Sequence, residues 1–183
     1  FGGVNTLWDR RYGFMNKALT SPISRSAIAI GKMSAISLIA ALQASLIIGI
    51  ALAIGVTFPN PLMIIPIMGI VILFSLGFSG ISVTLAATAK SQETFWGMIN
   101  LLGMPLFMLS PALFPLELLP SWLAVIAKLN PVTYTILLVR ELMTGVSEGG
   151  VPILLSIAVI FAFVIAMVAI ASYVFTREVN KPF

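Results

Sequence analysis

Four stretches of this sequence run for about 20 residues or more without a charged side chain, and each can cross a lipid bilayer as a helix. They are residues 33–58, 62–89, 95–113 and 151–175. The rest of the composition agrees. Apolar residues make up 60% of the 183, charged residues 9%, and the mean hydropathy is +1.12. A soluble domain is about 25% charged and could not hide this much apolar surface in one core. The chain is therefore expected to be an all-α membrane protein, a single transmembrane domain over residues 1–183.

Local signals refine the spans. Pro59-Asn60-Pro61 ends the first, because proline cannot continue a helix and restricts the residue before it. In the second, Gly80, Thr84 and Thr88 are four apart and share a face. That face suits close helix packing within the chain, or a pathway lining or subunit seam. Phe95-Trp96 falls where an aromatic interface anchor belongs, and Pro105 should kink the third span. Residues 114–150 are cut by Pro115, Pro120 and Pro131. They predict two short helices, one over Pro120 to Lys128 and one over Pro131 to Thr144. Asn130 would cap the second and Gly145 stop it. Their apolar content suggests a re-entrant hairpin at the bilayer edge, where irregular backbone must be buried in protein or face water.

Eight of the ten Lys and Arg residues lie before the first span, after the last, or at Lys90; only Lys128 and Arg140 lie on the other side. The positive-inside rule then places both ends of this sequence and the Lys90 connection in the cytoplasm. The same distribution explains the net charge of +4 without nucleic acid.

The absence of Cys and His excludes disulfides, thiolate or imidazole metal sites and Cys or His catalysis. No acid or base lies inside the four spans, which argues against a proton relay. The nearest approach to a phosphate-cradling loop is Gly31-Lys32, but Met33 follows it and Ser26 stands where the first glycine should be. No cofactor is expected in this chain, and uphill transport would need a partner to supply the energy.

The candidate receiver of that energy precedes the first span. Trp8, Tyr12, Met15 and Leu19 are spaced by four, three and four, so a helix over 8–20 would carry them on one face, with Arg10, Arg11 and Lys17 mostly elsewhere. Thr20-Ser21-Pro22 stops it, and Ser24 or Ser26 can start the next helix. Such a helix could pass a push from a soluble partner into the bundle, or simply lie on anionic lipid.

Two stretches resemble the signatures of type-2 ABC transporter permeases, notably the drug and nodulation-factor (lipooligosaccharide) exporters. One is Trp8-Asp9-Arg10-Arg11-Tyr12-Gly13 with Leu19 to Arg25 and Gly31-Lys32. The other is Phe114-Pro115, Leu119 to Leu123, Leu129 to Tyr134 and Arg140. Asp9 stands where the family often has Glu. Those permeases usually have six spans, so the resemblance implies a C-terminal portion carrying spans three to six, with Phe1 to Leu7 as the tail of the second. It also implies a permease subunit of an exporter in a prokaryotic plasma membrane. A second permease copy and a separate ATPase subunit, which binds ATP and Mg, would complete it. The cargo would be a hydrophobic or amphipathic drug, lipid or glycolipid. Asp9, Arg10, Arg11, Tyr12, Gly13, Met15 and Leu19 would form the ATPase-coupling helix. Pro120, Trp122, Asn130, Pro131, Tyr134 and Arg140 would belong to the external hairpin, with Asn130, Pro131 and Arg140 shaping it more than touching cargo. An ATP-independent channel or ion-coupled carrier is the alternative.

Overall fold

The computed structural model describes residues 2–12, 22–57, 60–113, 115–147 and 149–178. Seven α-helices carry the described chain: α1 (Gly2–Arg11), α2 (Arg25–Ala53), α3 (Ile64–Thr88), α4 (Gln92–Met108), α5 (Ser121–Leu129), α6 (Pro131–Thr144) and α7 (Ile153–Glu178). Short 3-10 turns at Pro61–Met63 and Leu116–Leu118 lead into α3 and precede α5.

Three helical segments are long and apolar enough to cross a membrane: Arg25–Ala53, Pro61–Thr88 and Ile153–Glu178. The pair α5 and α6, bent by 88°, makes a fourth if counted as one broken span. Only 11% of the most apolar window of α2 is buried, and Leu38, Leu42, Leu46 and Ile50 stand exposed along it. Water would not tolerate such a surface; lipid does.

The boundaries differ from the apolar runs. α2 begins eight residues before Met33, because Ser24 is extended and its hydroxyl accepts a hydrogen bond from the Ala27 amide at 3.3 Å. It stops at Ala53, and Gly55 turns the chain at φ +93° although the sequence stays apolar to Val56. α4 is capped by Ser91, runs for 17 residues and ends at Met108 instead of continuing to Leu113. At about 26 Å it is only marginally long enough to span. Phe95 does not anchor an interface: it is fully buried against Val4, Leu7, Ala86 and Ala89, with Trp96 edge-on beside it.

In lipid, burying apolar surface gains little over contact with acyl chains, so close packing and interhelical hydrogen bonds hold the bundle. α3 is the hub, flanked by α2, α7 and α1. At one end Ala29 and Met33 of α2, Val83 and Ala87 of α3, and Ala171 and Phe175 of α7 form a core. At the other, Leu138 of α6 packs with Ile160 and Val164 of α7 and Ile70 and Leu73 of α3. Between them the Ser37 hydroxyl donates to the Ile72 carbonyl at 2.7 Å and lies 2.8 Å from the Ser75 hydroxyl, tying α2 to α3. α1 lies close to α3 because Gly3 allows it: a Cβ there would sit 2.2 Å from the Ser82 hydroxyl and 2.8 Å from its carbonyl.

Candidate coupling end and hairpin

The candidate residues gather at opposite ends of the bundle. One end holds the exit of α1, the entry of α2 and the Lys90 connection; the other holds α5, α6 and the end of α4.

At the first end, residues 8–11 belong to the helix that begins at Gly2, and Tyr12 forms a turn, so the helix containing Trp8 is α1 and not one that starts there. Gly13, Met15 and Leu19 lie outside the described residues. Trp8 and Tyr12 are exposed, at 44% and 77%. Asp9 forms an ion pair with Lys32, two turns into α2, with both side chains mostly shielded. This contact closes the chain from residue 9 to residue 32 into a loop whose two stems are α1 and α2. The resemblance implies a place for Asp9 in the coupling segment; its carboxylate also has a partner within the chain, Lys32. That pairing could not be read from spacing, because 23 residues separate the two charges.

At the other end, Asn130 occupies the 88° corner between α5 and α6 and is 5% exposed. Its Oδ1 accepts from the Val132 amide at 3.0 Å, capping α6, and Pro131 fills the first helical position. Its Nδ2 donates to the Leu106 carbonyl at 2.6 Å. That carbonyl is among the last four of α4, which have no partner within their helix. Arg140 donates to the Pro111 carbonyl at 2.9 Å, just past the same helix end. The Thr133 hydroxyl donates to the Ala127 carbonyl and the Tyr134 hydroxyl to the Lys128 carbonyl, both at 2.7 Å, which lock α6 to α5. Asn130 and Arg140 thus tether the hairpin to α4. Pro120 precedes α5, and Trp122 on it is 65% exposed.

The small-residue face of α3 divides. A Cβ on Gly80 would lie 3.0 Å from the Met167 carbonyl and 3.1 Å from the Met33 Cε, so this glycine serves packing against α7 and α2. The buried Thr84 hydroxyl has no hydrogen-bond partner among the described residues, and Thr88 bonds back to the Thr84 and Leu85 carbonyls. No group of three or more His, Cys, Asp or Glu residues that could hold a metal ion occurs among the described residues.

Long lipid-compatible helices and a bent helical pair tied to a helix end by side chain to carbonyl bonds define a multi-pass α-helical membrane protein. Residues 1–144 match the model of the family described as ABC-2 type transporter. The chain belongs to the ABC-2 type transporter family, a family of ABC-transporter membrane components. It is similar to proteins carrying the name transport permease ycf38. With that of Cyanophora paradoxa it shares 33% identity over 137 residues, 74% of this chain and 47% of the relative. With that of Pyropia yezoensis it shares 31% over 148 residues, 79% and 50%. The chain spans about half the length of these relatives. No solved structure matches it.

Proposed function

We propose that this chain forms part of the translocation path of an ATP-driven exporter, worked by a separate ABC ATPase and paired with a second permease copy. The observation that carries the reading is family membership over residues 1–144. Hydrolysis, with its ATP and Mg, belongs to the ATPase subunit.

The end rich in Lys and Arg faces the cytoplasm of a prokaryotic cell. There the segment between α1 and α2, with Tyr12, Gly13, Met15 and Leu19, docks on the ATPase. The Asp9–Lys32 pair joins the stems of that segment, so a displacement reaches both helices together. From α2 it passes to α3 and on to α7 through the shared core of Met33, Val83 and Phe175. The α5–α6 hairpin faces outward and closes the outer end of the path, carried by α4 through Asn130 and Arg140. The cargo is hydrophobic or amphipathic.

The test is reconstitution of the full permease with its ATPase in proteoliposomes. ATP-dependent flux is expected, and Met15→Asp should leave ATP hydrolysis running while flux falls. Flux that follows an ion gradient and ignores ATP would refute the exporter and favour a carrier or channel.

A further inference from the structure

A half-open cleft of about 450 Å3 lies between α3, α6 and α7. Helical spacing builds it. Ile153, Ile157 and Phe161 recur every four residues on α7, and Leu138 and Leu142 do so on α6. Gly69 of α3 keeps the space open: no described atom lies within 4 Å of the place its Cβ would take. α3 meets α1 through Ser82, against Gly3, and Leu73 in the cleft is nine residues from Ser82, about two and a half turns. The cleft and α1 therefore lie on opposite faces of α3.

Every side chain described in the lining is hydrocarbon, and a buried water needs two to four polar partners, so water does not fill the cleft. Its rim continues the surface that lipid covers. Phe161 is half exposed, and Leu154 and Ile165 on the same spanning helix are more so. From Ile153 to Phe161 the cleft follows α7 for about 12 Å, close to the roughly 15 Å of hydrocarbon in one leaflet. It lies at the Ile153 end of α7, away from Arg177 and most of the Lys and Arg residues. A helix, about 10 Å across with its side chains, would need about 900 Å3 over the same length, twice the space there is. A single file of methylenes is slim enough, of matching length, and has no polar group to leave unmet.

We propose that this cleft seats one acyl chain of an outer-leaflet phospholipid, held as part of the fold with the hairpin arm α6 on one side and the spans α3 and α7 on the other. The leaflet follows from the Lys and Arg asymmetry. The seat itself needs only a bilayer around the bundle and not the exporter reading.

The test uses the full permease with a photoreactive diazirine amino acid in place of Ile157, irradiated in its own membrane and weighed by mass spectrometry. The expected adduct adds the mass of one phospholipid. Native mass spectrometry of the permease in mild detergent should also find one phospholipid retained per chain. Gly69→Leu puts a side chain into the cleft and should lower adduct and retention about tenfold. Leu142→Phe fills the same space from α6 and serves if Gly69→Leu does not fold. Leu46→Phe, on the exposed face of α2, should change neither. An adduct with a second copy, or with a part of the permease outside these residues, would show protein over the cleft and overturn the proposal. Equal adduct and retention in parent, Gly69→Leu and Leu142→Phe would mean passing contact with bulk lipid and overturn it too. A retained, cleft-dependent phospholipid in a permease without ATP-driven flux would uphold the seat and refute the exporter reading.

Discussion

Replacing Asn130 by alanine removes two hydrogen bonds from one buried corner. The α6 cap from the Val132 amide to Oδ1 is worth about 1 kcal/mol. The bond from Nδ2 satisfies the Leu106 carbonyl, and leaving that acceptor buried and unpaired costs about 1–3 kcal/mol. Together the substitution should cost about 2–4 kcal/mol of local stability. The loss should appear in amide exchange over residues 132–136, where protection is expected to fall about 30-fold to 700-fold. Asn130→Asp separates the two terms. Its carboxylate keeps the cap oxygen but presents an acceptor to the Leu106 carbonyl, so the tether is lost at neutral pH. Acidification that protonates the carboxyl supplies an O–H donor again and should return part of the protection. Exchange in Asn130→Ala within threefold of the parent would show that the tether contributes nothing and that the corner is held by proline and packing alone.

Gly80→Val should separate α3 from α7, costing about 1–3 kcal/mol in chemical unfolding, because its Cβ would press on the Met167 backbone. Gly69→Ala, with nothing near the added methyl, should instead be neutral or gain up to about 1 kcal/mol in the same assay. Gly3→Ala should displace α1 from α3, read as loss of disulfide trapping between cysteines placed at Leu7 and Ala89. Breaking the ion pair with Lys32→Ala should cost at most about 1 kcal/mol of stability yet lower ATP-coupled flux, and the swap Asp9→Lys with Lys32→Asp should restore flux. Equal flux in all three proteins would count against the pair as a mechanical link.

Much of the bundle is legible in the sequence. Uncharged apolar runs locate the three long helices, and Asn130-Pro131 and Gly145 mark the ends of α6 through chemistry that is local. What is hard to read is long-range or masked by uniform hydrophobicity. The end of α2 at Ala53 falls inside an unbroken apolar run, where periodicity carries no signal and only Gly55 hints at the turn. Its start at Arg25 lies among charges, which a search for apolar runs discards. Phe95 looks like an interface aromatic because its burial depends on α1, a helix distant in sequence. Asn130 shows its cap partner in the pattern, but its second bond, to a carbonyl 24 residues away, has no sequence mark. Gly69 stands out as a glycine in an apolar run, and the cleft it keeps open toward α6 and α7 emerges only once three helices meet.

The length of α2 has a mechanical meaning. Its 29 unbroken residues make a rod of about 43 Å, which exceeds the hydrocarbon thickness of about 30 Å. A stiff oar of that kind does not absorb a shove at its handle; it swings. With Gly55 and the proline that opens the next turn as its rowlock, a swing of about 10° carries the handle about 7 Å, more than one helical pitch.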